Sequence, residues 1–120
     1  SYTSFSYGDI KLSSRSLKGN QTVTATISIT NTGQYEGKEV VQLYIRDVVG
    51  SVTRPVKELK GFQKIELKAG ETKTVSFSIS PNDLKFYNYD LKYDWEAGDF
   101  EIMIGTNSND VKKASINWVK

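Results

Sequence analysis

From Thr22 to Asn31 the chain alternates without a break: Val23, Ala25, Ile27 and Ile29 fall on one side, Thr22, Thr24, Thr26, Ser28 and Thr30 on the other. A period of two places successive side chains on opposite faces of a β-strand, so this run predicts a strand with one face in a core and a hydroxyl-rich face in water. A wet outer face of this kind suits an antiparallel sheet. The pattern returns along the chain. Val41, Leu43 and Ile45 oppose Val40, Gln42, Tyr44 and Arg46; Val75, Phe77 and Ile79 point inward from Thr72–Ser80; Phe100, Ile102 and Ile104 do so from 99–105; Ala114, Ile116 and Trp118 share a face of 111–118. An extended run at Glu58–Leu67 and a first strand near Asp9–Ser13, with Ile10 and Leu12 inward, complete seven main strands.

Turn residues punctuate these runs. Lys18-Gly19-Asn20-Gln21 and Lys68-Ala69-Gly70-Glu71 reverse the chain, and Asn31-Thr32-Gly33-Gln34 predicts a turn with Gly33 at positive φ. Ser80-Pro81-Asn82-Asp83-Leu84 predicts a corner between sheets, with one helical turn capped by Ser80 and Pro81 in its first position. Phe86-Tyr87 and Lys92–Trp95 read as a short hairpin around Asn88-Tyr89-Asp90. Helix signals are nearly absent, and the regular spacing of short strands predicts an all-β sandwich or barrel.

With 120 residues the chain has the length of one domain and can bury a core without a covalent staple. It has no cysteine, which excludes a disulfide framework and a thiolate metal site, and no histidine, which excludes a Ser-His-Asp triad within it. Sixteen Lys+Arg against fourteen Asp+Glu leave +2, too small and too evenly spread to predict a nucleic acid or a membrane surface as partner. No apolar run approaches a membrane span, and the opening lacks the apolar stretch of a signal peptide. The chain opens in mid-motif, so Ser1 reads as a cut through a larger protein.

Several segments, in order, carry a family's wording: Asn31-Thr32-Gly33, Gly37-Lys38-Glu39-Val40-Val41-Gln42-Leu43-Tyr44, Arg54-Pro55-Val56-Lys57-Glu58-Leu59-Lys60-Gly61-Phe62, Pro81-Asn82-Asp83-Leu84, Glu96-Ala97-Gly98-Asp99-Phe100 and Ile104-Gly105-Thr106. Over nearly its whole length the sequence resembles the fibronectin type III-like domain at the C-terminal end of glycoside hydrolase family 3 enzymes, chiefly bacterial β-glucosidases. The resemblance implies an immunoglobulin-like antiparallel β-sandwich of two sheets, with residues 1–7 as the junction to a preceding domain. It implies a non-catalytic accessory domain, with the nucleophile and acid/base carboxylates in the preceding domains and no metal or organic cofactor. The implied partners are the catalytic domains of the same polypeptide; a second subunit or an oligosaccharide are the other partners it leaves open. The closest wording is that of periplasmic enzymes, which implies export of the parent.

Three groups of residues are candidates for a site. Asp90, Asp94, Glu96 and Asp99 form the densest acidic cluster. A retaining glycosidase holds its two carboxyls about 5–5.5 Å apart, but these lie in turn-like polar sequence where carboxylates are solvated, and the stretch lacks the calcium-loop pattern. No catalytic, cofactor or metal residue is assigned. Tyr87, Tyr89, Tyr93 and Trp95 crowd into nine residues; exposed, they would form a contact surface toward other domains or a platform for a sugar ring, and buried, Trp95 would fill the core beside Phe86. Val48, Val49 and Val52 are apolar in a Gly- and Ser-containing loop, which predicts a partner surface, and Arg54 can pair with a carboxylate inside the domain or across that interface. Asn20-Gln21-Thr22 matches the N-glycosylation acceptor pattern as a chance occurrence.

Overall fold

In the computed structural model, which describes residues 3–48, 57–87 and 92–120, the alternation becomes two packed sheets and a hairpin. The strands are β1 (Phe5–Tyr7), β2 (Lys11–Leu12), β3 (Ser16–Lys18), β4 (Val23–Asn31), β5 (Gly37–Asp47), β6 (Glu58–Leu67), β7 (Thr72–Ile79), β8 (Phe86–Tyr87), β9 (Tyr93–Asp94), β10 (Gly98–Asn107) and β11 (Asp110–Val119). One sheet has β4 at its centre, paired with β7 on one side and with β1 and then β2 on the other. The second sheet runs β3-β11-β10-β5-β6, and β8-β9 stand apart as an antiparallel pair.

The core lies where the inward faces meet. Val23, Ala25, Ile27 and Ile29 of β4 look across to Val41, Leu43 and Ile45 of β5 and to Phe100, Ile102 and Ile104 of β10, all buried. Each large side chain removed from water in this way contributes about 1.5–3 kcal/mol. The outer face of β4 is wet, as expected. Thr26 and Ser76 (3.2 Å) and Thr30 and Thr72 (2.7 Å) bond hydroxyl to hydroxyl between β4 and β7, a ladder that solvent can share. The other long edges are closed by side chains: Gln63 Nε2 of β6 donates to the Ser76 carbonyl (2.6 Å) and Lys73 Nζ of β7 to the Glu66 carbonyl (2.7 Å). One of the crossings between sheets, after β7, begins with the short 3-10 turn Pro81–Leu84, with Leu84 buried and the Ser80 N–H bonded to the Asp83 carboxylate (2.8 Å).

The structure departs from expectation in two places. The first strand, expected near Asp9–Ser13, is only β2 (Lys11–Leu12), and two further short strands stand on either side of it because the chain changes sheets: β1 and β2 flank a buried Ile10 and pair with β4, whereas β3 joins β11 in the other sheet. That β3–β11 pairing is parallel in an otherwise antiparallel fold. Within residues 1–7, Phe5–Tyr7 form β1 and pair with β4. Gly33 is not at positive φ; among the described residues the positive-φ glycines are Gly19 (59°), Gly70 (78°) and Gly98 (150°). Gly33 is glycine for another reason: a Cβ there would stand 2.0 Å from Thr3 Oγ1.

Candidate functional site

The two surfaces singled out in the sequence come to the same end of the sandwich. β5 finishes at Asp47, opposite Phe100 near the start of β10, and the Val48 N–H donates to the Asp99 carbonyl (3.1 Å). Gly98 in turn faces Trp118 across the β10–β11 ladder, and Trp118 touches Trp95 just beyond the β8–β9 hairpin. Val48 is 47% exposed, an apolar side chain offered to solvent. Val49, Val52 and Arg54 lie outside the described residues, as does Tyr89.

Within the aromatic cluster the alternation separates roles. Tyr93 opposes Tyr87 in the hairpin and is 55% exposed, whereas Trp95 is only 8% exposed and belongs to the core. Trp95 therefore does not serve as a platform for a sugar ring: one edge is taken by Trp118, and the ammonium of Lys120 sits 5.1 Å from its ring centroid. Lys120 also bonds Asp94 Oδ2 (3.0 Å), and this bond, reinforced by the Trp95 N–H, holds the Asp94 carboxyl below the usual carboxylate range. Trp118 satisfies its own ring N–H on the Gly19 carbonyl (2.9 Å). Of the other acidic residues in the cluster, Asp99 Oδ1 accepts from Asn117 Nδ2 (2.9 Å), and Asp90 lies outside the described residues. Among the described residues no three His, Cys, Asp or Glu side chains gather as a metal site would require.

Two polar features at the opposite end escaped sequence reasoning. Asn31 is fully buried. Its Nδ2 donates to the carbonyls of Tyr35 (2.8 Å) and Leu67 (3.0 Å), while its Oδ1 accepts from Thr3 Oγ1 (2.5 Å) and the Gly33 N–H (3.0 Å). The signal was present, since Asn31 continues the inward series Val23, Ala25, Ile27, Ile29; a polar residue at the next inward position announces a buried network. The second is a groove of about 610 Å³ where the sheets part, lined by β1, the start of β5 and the β10–β11 turn. Tyr7 reaches into it and donates its hydroxyl to Glu39 Oε2 (2.9 Å). Burial, then the bond to Glu39 and the nearby negative charges of Glu39 and Asp110, push the Tyr7 phenol well above its ordinary range, so it stays protonated. The groove ends the core with polar groups.

Comparison with known proteins agrees with this architecture. The model of the fibronectin type III-like domain matches residues 39–108. Among curated proteins, the periplasmic beta-glucosidase of Salmonella typhimurium is 51% identical over 115 residues, which is 96% of this chain and 15% of that protein. A beta-xylosidase of Formosa agariphila is 48% identical over 118 residues, 97% of this chain and 16% of that protein. Among solved structures, the beta-glucosidase of Listeria innocua in complex with glucose superposes with a TM-score of 0.91 at 36% identity, covering 99% of this chain and 16% of that one. The chain thus spans about one-sixth of the relatives it matches.

Proposed function

Because the chain belongs to the fibronectin type III-like domain family, we propose that it is the non-catalytic accessory domain of a glycoside hydrolase family 3 enzyme, a β-glucosidase or related exo-β-glycosidase. One observation carries the reading: nearly the whole chain aligns, at about half identity, with a small part of a much longer glycosidase. The domain's work in such an enzyme is mechanical. A preformed sandwich with a dry core holds one surface rigidly against its neighbours, stabilising the catalytic domains or building an interface between domains or subunits. The end bearing Val48 and the β8–β9 hairpin is one candidate for such a surface, with Val49, Val52 and Arg54 following Val48 in the sequence. The parent would cleave terminal β-linked sugars with two carboxylates of its own, and the kinship to a periplasmic relative supports export.

The test begins with the natural protein. An intact mass several times the 13.5 kDa of this chain, together with β-glycosidase activity, is the expected result. A mass near that of the chain alone would overturn the reading and make a free carbohydrate-binding module the leading one. Purified by itself, the domain should leave an aryl β-glucoside unhydrolysed.

A further inference from the structure

The two broad faces of the sandwich differ in chemistry. The outer face of the β4–β7 sheet is the Thr/Ser ladder already described, a surface made for water. The outer face of the five-stranded sheet is not. On the hairpin β5–β6, Val40 lies opposite Lys64, Gln42 opposite Phe62 and Tyr44 opposite Leu59, a register that a bulge keeps on one face. Phe62 is 59% exposed and Leu59 53%, and Val40 is exposed beside them. The row continues inward from Tyr44 to Met103 of β10, which is buried although it points away from the core, in a hollow shared with Arg46, Lys57, Glu101 and Lys113. Side chains that alternate out of a sheet are ordinarily polar when water covers them. Here the outward series of one hairpin carries Val40, Tyr44, Phe62 and Leu59 among the polar Gln42 and Arg46, and Lys57, Lys64 and Lys113 stand at its rim.

We propose that the outer face of β5–β6, centred on Phe62, Leu59 and Val40, is the surface on which this domain docks against the remainder of its own polypeptide. The proposal rests on the accessory-domain reading and names its contact face. Size selects the occupant. A stable complex of separate chains uses about 20–30 residues a side, far more than this hairpin presents, whereas a tethered neighbour meets the patch at an effective concentration of roughly millimolar and needs little area to stay in place. The relatives carry this segment as 15–16% of one chain, so the neighbour is covalently supplied. The lysine rim calls for an acidic surface opposite.

The experiment uses the intact parent protein and limited proteolysis, read as the rate at which the domain is released. Phe62→Asp with Leu59→Asp should speed release at least tenfold, while Thr74→Asp on the hydroxyl face should leave it unchanged. As a measurement that needs no variant, zero-length carbodiimide cross-linking of the wild type should join Lys64 or Lys113 to an Asp or Glu outside this domain. Release no faster than wild type, with no such cross-link, would overturn the assignment of the face while the accessory reading stood. A wild-type dimer dissociated by Phe62→Asp in sedimentation would make a second copy the occupant and overturn it as well. A natural protein with no further folded part would sink the accessory reading itself.

Discussion

Trp95 meets Trp118 edge to face, ring centroids 6.2 Å apart and planes at 69°, so an aromatic just beyond the hairpin is locked to one from the last strand. Such a pair adds about 0.5–1.5 kcal/mol beyond its buried area. Trp95→Ala should therefore cost about 3–5 kcal/mol of unfolding free energy, measured by urea denaturation, whereas Tyr93→Ala should stay within about 0.5 kcal/mol of wild type. Equal, small losses at both positions would mean that Trp95 is a surface residue after all.

Asn31 ties β4 to Thr3 ahead of β1, to the turn that follows β4 and to the end of β6 through four side-chain bonds. Asn31→Ala leaves the Leu67 carbonyl and the Gly33 N–H without this partner, at a cost of roughly 3 kcal/mol. Asn31→Asp keeps the shape but cannot donate to two carbonyls, and it should be at least as damaging at neutral pH. Denaturation midpoints of the two variants decide the matter.

Gly33 and Thr3 approach so closely that a methyl group cannot fit between them. Gly33→Ala should destabilise by about 1–3 kcal/mol through this overlap. Adding Thr3→Gly should recover part of the loss, although it also removes the Thr3–Asn31 bond. Recovery in the double variant, measured as a non-additive free energy, distinguishes a steric cause from a backbone one.

Tyr7 sets an alkaline limit. Its folded-state pKa lies above the ordinary value near 10. The folded chain therefore keeps the phenol proton more tightly than the unfolded one, and the contribution is complete below about pH 10 and lost as the pH rises further. Between pH 6 and 9 this group gives no slope; above about pH 10 stability should fall. Tyr7→Phe should remove that part of the alkaline decline and cost about 1 kcal/mol at neutral pH for the bond to Glu39. Parallel alkaline slopes in the two proteins would rule the residue out.

The long strands were legible because alternation over eight or more residues admits one reading; Glu58–Leu67 was expected and is β6 as observed. Strands of two or three residues carry no period, which is why only β2 falls within the expected first strand and β1 and β3 went unforeseen. Met103 shows another limit. Its neighbours Ile102 and Ile104 fill the core, so alternation sends it to water, yet side chains on the outer face cover it. The reason for Gly33 lies at Thr3, remote in sequence, and no local turn rule could supply it. In the aromatic cluster composition identified the region, but only packing against Trp118 assigned Trp95 to the interior and left Tyr93 at the surface.

The parallel pairing of β3 with β11 closes nearly the full length of the chain: Arg15 Nη1 bonds the Ser115 carbonyl, and the Trp118 ring N–H bonds the Gly19 carbonyl 99 residues away. Contacts this distant in sequence form late and slowly. During synthesis, at about 5–20 residues per second, the first strands would leave the ribosome several seconds before their partner exists. Until then the inward face of the second sheet lacks Ala114, Ile116 and Trp118, and its strands wait with an unpaired edge. Folding of this domain is thus a post-translational event for its own segment, and the nascent chain is at its most aggregation-prone just before β11 emerges.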